Sequence, residues 1–314
     1  MTNHKQILII DNLGITQLDF EKIAKKSGLN FEIIQGENNN ASSEEVEIII
    51  TVNKEVNAEL LDKFPNVKMV AVAFTGFDSV DLDVCRQKNI AVYNVPAYAT
   101  NSVVELTLGL IISLLREIPR ANELIRNQGW EMKPGLELSG RKVGIVGTGK
   151  IGIAVAKVFK GLGCELIGWS RTENEEFKSL GGKYIADKQT FFASADIVSV
   201  HLPLNQHTRG IIGKDEFDAM KKTSFLINTA RGPIVDEKAL IEALQNKEIA
   251  GAGLDVFAHE PIHDDNKLLE MENVVLTPHV AYKTQEAISQ RALVTAQNIL
   301  NFLNEDDTNR VDRE

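Results

Sequence analysis

Cysteine is nearly absent from this chain, and the two that occur, Cys85 and Cys164, lie far apart with no Cys-x-x-Cys spacing. A disulfide framework or a zinc cluster needs more thiols at closer spacing, so reduced thiols in the cytoplasm are expected. Positive charge is scarce as well. With 34 Lys and Arg against 44 Asp and Glu the net charge is −10, which disfavours nucleic acid and anionic membranes as partners. No stretch reaches the roughly 20 apolar residues that span a bilayer. The most hydrophobic one, Val103 to Leu115, contains Glu105, ends at Arg116-Glu117 and reads as a buried helix. The start, Met1 to Gln6, runs into a strand-like segment without the apolar stretch and cleavage site of a signal peptide, so no export is expected. Internal repeats are absent, and only the polar loop Asn38 to Ser43 and the charged tail after Asn304 look low in complexity.

What remains is an ordinary globular balance, 43% hydrophobic and 25% charged, over 314 residues. That length suits two domains with a cleft between them as the default place for a site. Short apolar runs rich in β-branched residues recur at Ile7 to Ile10, Phe31 to Ile34, Val46 to Ile50, Met69 to Phe74 and Ala91 to Val95. They lack polar alternation, so each predicts a strand buried on both faces. Helix-length spacers such as Thr16 to Ser27 and Asn57 to Lys63 separate them, which makes repeated βα units and a parallel sheet.

A second series follows at Lys142 to Gly147, Glu165 to Trp169, Asp196 to Val200, Phe225 to Thr229, Ala252 to Val256 and Val274 to Thr277, with helices at Lys150 to Gly161, Asp215 to Met220 and Glu237 to Gln245. The fold class is therefore α/β, with two doubly wound parallel-sheet domains: a Rossmann domain and a flavodoxin-like one. One long helix from about Asn101 to Asn127 is expected to join them, and a helix from about Thr284 to Leu303 to fold back onto the first domain. The expected domains are 1–99 plus 285–314 for substrate and 100–284 for the cofactor.

Gly147-Thr148-Gly149-Lys150-Ile151-Gly152 follows a buried strand and opens a helix, the context a dinucleotide fingerprint requires. Gly147 permits the tight turn, Gly149 lets backbone approach a pyrophosphate, and Gly152 lets helix and strand pack closely. The N–H groups of the first helical turn, at Lys150 and Ile151, face the phosphates. At the end of the next strand, where a carboxylate would hold the ribose hydroxyls of NAD, the chain reads Ser170-Arg171-Thr172. These residues suit a 2′-phosphate, so NADP(H) is the expected cofactor, with NAD(H) possible.

Three strand ends in the second half carry polar residues that would line a ligand crevice: Asn228-Thr229-Ala230-Arg231-Gly232, His259-Glu260-Pro261 and Thr277-Pro278-His279. With Gly147 to Gly152 and Val200-His201-Leu202-Pro203, these segments resemble those of the D-isomer-specific 2-hydroxyacid dehydrogenases, from about Val67 to Ala281. The resemblance implies a hydride transfer between a nicotinamide and a small 2-keto or D-2-hydroxy acid, with Arg231, Glu260 and His279 as the catalytic set. The chemistry agrees. A histidine that titrates near neutrality supplies a proton to the carbonyl oxygen, a carboxylate beside it favours its protonated form and orients it, and an arginine fork grips the substrate carboxylate.

The same resemblance puts Thr229, Ala230, His201 and Pro203 along the cofactor, Asp255 near the nicotinamide carboxamide, and the backbone of Thr75-Gly76 at the substrate carboxylate. It also implies a homodimer through the cofactor domain. Asp81 is expected to be a helix cap.

His259-Glu260-Pro261-Ile262-His263 matches H-E-x-x-H, but Pro261 forbids the helix that a zinc site needs, so no metal is expected. A competing class is an NAD(P)-sensing, corepressor-like binding protein, since fold does not fix function. For the substrate, Asn94 to Val103 looks more like glycerate dehydrogenases and glyoxylate or hydroxypyruvate reductases than like phosphoglycerate enzymes. Val72 to Phe77 presents two phenylalanines and no base to pair with a phosphate. Glyoxylate or hydroxypyruvate is expected, with phosphoglycerate or another D-2-hydroxy acid as the alternative.

Overall fold

The computed structural model describes residues 5–36 and 43–313, so His4 and most of the Asn38 to Ser43 loop lie outside the described residues. The chain divides into two compact units, Met1–Ala99 with Lys283–Glu314, and Thr100–Tyr282.

The first unit contains β1 (Gln6–Ile9), α1 (Gln17–Lys26), β2 (Glu32–Gln35), β3 (Val46–Thr51), α2 (Ala58–Asp62), β4 (Met69–Val72), α3 (Leu82–Gln87) and β5 (Ala91–Tyr93). Its strands are all parallel, in the flavodoxin-like order β2-β1-β3-β4-β5. Every residue of β1, β4 and β5 is buried, whereas β2, at the sheet edge, exposes Glu32. Thr16, Asn57 and Asp81 cap the three helices by accepting from the N–H groups of Asp19, Leu60 and Val84, which fixes where each begins. The C-terminal helix Gln285–Leu303, capped by Thr284, belongs to this unit and buries Ala287, Ala292, Ala296 and Ile299. Its Asn298 amide donates to the Asn94 carbonyl at 2.7 Å.

The second unit contains α4 (Thr100–Leu115), α5 (Ile118–Arg126), β6 (Lys142–Val146), α6 (Lys150–Gly161), β7 (Glu165–Trp169), α7 (Glu175–Ser179), β8 (Lys183–Tyr184), α8 (Lys188–Ser194), β9 (Ile197–Val200), α9 (Lys214–Ala219), β10 (Phe225–Asn228), α10 (Glu237–Gln245), β11 (Gly251–Leu254) and β12 (Val274–Leu276). The seven parallel strands run β12-β11-β10-β9-β6-β7-β8. The chain order reverses between β6 and β9, which opens a crevice at their carboxyl ends. Two apolar clusters pack the unit. One gathers Phe191, Phe192, Phe217, Leu240 and Leu244, the other Leu110, Ile111, Leu115, Val155 and Phe159. Ile145 and Val146, neighbours in β6, belong to different clusters, as strand alternation requires.

The single long helix expected over Asn101 to Asn127 is instead two, broken at Arg116-Glu117, where Glu117 takes a left-handed φ of 47°. Pro119 explains the break. It has no N–H to give to the Leu115 carbonyl four residues back, and its ring would collide with that carbonyl. The Leu136 N–H bonds to the Leu115 carbonyl instead, at 2.8 Å. Sequence periodicity also missed β8, α7 and α8, elements of two to seven residues that are too short to show a period. Among the described residues no helix is long and apolar enough to cross a membrane.

Candidate active site

The glycine turn between β6 and α6 is built by close approach. Gly147 has φ 93°, and a Cβ there would stand 2.7 Å from the His201 carbonyl oxygen; one at Gly152 would stand 2.0 Å from the Gly147 carbonyl oxygen. Gly149 is different. It caps α6, and apart from its own chain neighbours nothing of the protein lies within 4 Å of where its Cβ would be. Lys150 is exposed, and Ile151 is partly buried, on the first turn of that helix.

Ser170, Arg171 and Thr172 follow β7 directly, Ser170 partly exposed and the other two exposed. Among the described residues none of their side chains has a hydrogen-bond or ion-pair partner. Across the strand-order reversal, His201 and Pro203 leave the end of β9, and the His201 Nε2 lies 2.8 Å from Ser199 Oγ.

Burial pushes the His201 imidazole down to about 3 from its ordinary 6.5. The unfolded chain takes up a proton near pH 6.5 that the folded chain refuses until about 3, so stability is lost as pH falls through that window. The contribution of His201 to the slope approaches about 1.4 kcal/mol per pH unit below pH 6.5 and is smaller above it. Both tryptophans, Trp130 and Trp169, lie in this unit, so their fluorescence in denaturant titrations at pH 7 and pH 5 reads it. His201→Gln should flatten the slope, and an unaltered slope in that variant would count against the assignment.

The polar strand ends after β10, β11 and β12 meet in one cluster. At the first, the buried Asn228 amide clamps the turn: it accepts from Ala230 N–H at 3.0 Å and donates to the Arg231 carbonyl at 2.9 Å. Arg231 donates to the Ala230 carbonyl at 2.8 Å. Thr229 turns inward, its hydroxyl 3.0 Å from that of Thr107 on α4. Gly232 sits so close to the next segment that a Cβ would stand 1.8 Å from the Phe257 carbonyl oxygen. The Phe257 N–H in turn donates to Glu260 Oε1 at 3.0 Å. The other oxygen, Oε2, lies 2.6 Å from His279 Nδ1. That contact assigns the ring proton to Nδ1 and makes Nε2 the nitrogen for proton exchange.

Asp255 has no exposed surface, and its carboxylate accepts from Thr277 Oγ1, Val280 N and Ala281 N at 2.6, 2.9 and 2.8 Å. Its carbonyl takes the His279 N–H at 2.8 Å. Asp255 thus anchors the loop that presents His279, which has a left-handed φ of 51°. Burial pushes the Asp255 carboxyl up, against these bonds. Burial also works to raise Glu260, but the His279 hydrogen bond and charge, the Phe257 N–H and the Arg231 charge outweigh it and hold that carboxyl below its usual range. Glu260 therefore stays an anion, and the charges of His279 and Arg231 both reach it. Sequence reasoning missed Asn228 and Gly232 as organisers of this cluster.

The segment His259–His263 is not helical, and its two imidazoles stack at 4.0 Å. In the first unit, Thr75 and Gly76 follow β4, the Thr75 hydroxyl donating to the Val95 carbonyl at 3.0 Å and the Asn94 amide to the Thr75 carbonyl at 2.7 Å.

Residues 108–281 match the family model described as D-isomer specific 2-hydroxyacid dehydrogenase, NAD binding domain. A glyoxylate reductase of Thermofilum pendens is 36% identical over 82% of this chain and 78% of its own length. A D-3-phosphoglycerate dehydrogenase of Archaeoglobus fulgidus is 34% identical over 95% of this chain, which spans 57% of that relative's length. Among solved structures, an NADPH-dependent glyoxylate/hydroxypyruvate reductase of Sinorhizobium meliloti in complex with NADP and malonate superposes with a TM-score of 0.84 and 30% identity, over 96% of this chain and 94% of that one.

Proposed function

We propose that this chain, which belongs to the D-isomer specific 2-hydroxyacid dehydrogenase family, reduces glyoxylate or hydroxypyruvate with NADPH. The observation that carries the chemistry is the Glu260–His279 contact of 2.6 Å beside the Arg231 charge. Arg231 holds the substrate carboxylate and polarises the neighbouring carbonyl, while His279 Nε2 gives the proton to its oxygen. Glu260 keeps the imidazole oriented and stabilises its charge. In the oxidative direction the same nitrogen takes the proton back. Thr75 and Gly76 are proposed as substrate-binding residues of the first unit.

The residues present fit a dinucleotide, because the open space at Gly149 lies over the N–H groups that start α6. Gly147, Gly149, Lys150, Ile151 and Gly152 would hold the diphosphate, and Ser170, Arg171 and Thr172 the adenosine end. His201, Pro203, Thr229, Ala230 and Asp255 would border the remainder. When bound, the cofactor supplies the hydride. The choice of NADPH rests on Arg171, exposed and without an ion pair among the described residues, where no carboxylate repels a 2′-phosphate. Glyoxylate or hydroxypyruvate is favoured by the substrate names of the T. pendens and S. meliloti relatives. It is also favoured by the Val72 to Phe77 segment, which has no base, with Phe74 packed edge-on against Tyr98 at 6.0 Å. The A. fulgidus relative makes phosphoglycerate the second reading.

A panel of 2-keto acids assayed separately with NADPH and NADH tests this. Glyoxylate or hydroxypyruvate with NADPH should give the highest kcat/KM. A lead for 3-phosphohydroxypyruvate would move the assignment to the second reading, and higher kcat/KM with NADH would overturn the cofactor choice. A homodimer is proposed through the exposed Ile118, Ile125, Trp130, Met132 and Leu136 of the second unit; light scattering of the same preparation should give the mass of two chains, not one. The buried, unbridged Cys85 and Cys164 suit the cytoplasm, which fractionation of the source cells would check.

A further inference from the structure

Tyr184 ends the two-residue edge strand β8 and lies in register with Gly168 of β7. The missing side chain at Gly168 gives its ring room: a Cβ there would stand 3.1 Å from Tyr184 Cε1 and 2.7 Å from Phe177 Cε1. Phe177 packs against the phenol at 5.1 Å. The hydroxyl accepts from the Asn174 N–H at 2.8 Å and donates to Thr148 Oγ1 at 2.7 Å. Thr148 is the middle residue of the glycine turn, and Asn174 caps α7 and closes the loop that opens at Ser170. One hydroxyl therefore ties the phosphate turn to the far end of the loop carrying Ser170, Arg171 and Thr172.

We infer that Tyr184 is a positioning residue for the adenosine end of the cofactor, setting the reach of Arg171 to a 2′-phosphate by pinning Asn174 to Thr148. The inference rests on the NADPH reading above. Ser170, Arg171 and Thr172 have no side-chain partners among the described residues, and Glu173 makes an exposed ion pair with Lys178 at 2.7 Å, so the loop is held at one end by β7 and at the other by Tyr184 together with that pair. A guanidinium pairs with a phosphate through a fork whose gain depends on direction as well as distance, so loosening one end weakens that pair. NADH brings only hydroxyls to the same place and depends less on it.

The test compares Tyr184→Phe, which keeps the ring and its packing, with the unmodified enzyme. KM for NADPH should rise about tenfold, the scale of a lost hydrogen bond, with kcat little changed and KM for NADH within about twofold. Fluorescence titration should show the same loss for 2′,5′-ADP and little for 5′-AMP. Equal increases with both cofactors, a fall in kcat, or no change at all would overturn the inference. A preference for NADH in the unmodified enzyme would instead defeat the cofactor reading itself, and that measurement needs no variant, so the two failures are told apart.

Discussion

Replacing His279 by alanine should lower kcat/KM for 2-keto acid reduction by about two orders of magnitude or more, the usual contribution of a positioned proton donor. The loss should fall on kcat, while the affinity for the nicotinamide cofactor changes little, because the glycine turn and the Ser170 loop do not involve this residue. Arg231→Ala should lose a similar factor by removing the charged clamp, and it should raise KM for the acid as well. Glu260→Gln separates orientation from charge: it keeps an acceptor for the Nδ1 proton but gives up the anion that the surrounding charges hold in place. Its activity should fall between that of the unmodified enzyme and His279→Ala. Near wild-type turnover in His279→Ala at neutral pH would show that the proton comes from elsewhere.

Gly232→Ala should be as damaging, although Gly232 touches neither substrate nor cofactor in this mechanism. Its Cβ would stand 1.8 Å from the Phe257 carbonyl oxygen and 2.0 Å from the carbonyl carbon. The obstacle is backbone, so no rotamer relieves it, and the turn at Gly232 and the segment after β11 must part. A stability loss of about 3 kcal/mol is expected from such overpacking. The displacement runs straight into the chemistry, because the Phe257 N–H holds one oxygen of Glu260 and the other oxygen holds His279. Activity should therefore fall by about a hundredfold even where denaturation shows the chain folded, on the general scale at which small misplacements damage catalysis. A folded Gly232→Ala enzyme with more than a tenth of normal kcat/KM would contradict this chain of contacts.

The strands were legible because parallel sheets covered on both faces need apolar runs, and β1, β4 and β6 contain unbroken ones. The glycine turn was legible for a similar reason: its residues are consecutive, so their spacing carries the geometry. What escaped depends on meetings between distant segments. No local pattern announces that Gly232 abuts Phe257, or that the Asp255 carboxylate is spent on the N–H groups of Val280 and Ala281. Tyr184 escaped because a two-residue strand has no period and its partners are 36 and 10 residues away. The break between α4 and α5 was within reach, since Pro119 stands in the sequence. The strength of the apolar pattern on either side concealed it.

The left-handed backbone at His279 bears on when the catalytic geometry is made. A non-glycine residue in that conformation is held at a cost of about 1 kcal/mol, and here the holding groups are Asp255, just past the neighbouring strand β11, and Thr277, just past β12. None of them belongs to a ligand. The ordering of the imidazole is thus completed during folding, and the entropy of aiming it does not have to be found again at each turnover. An enzyme built this way meets its substrate with the proton donor already in place.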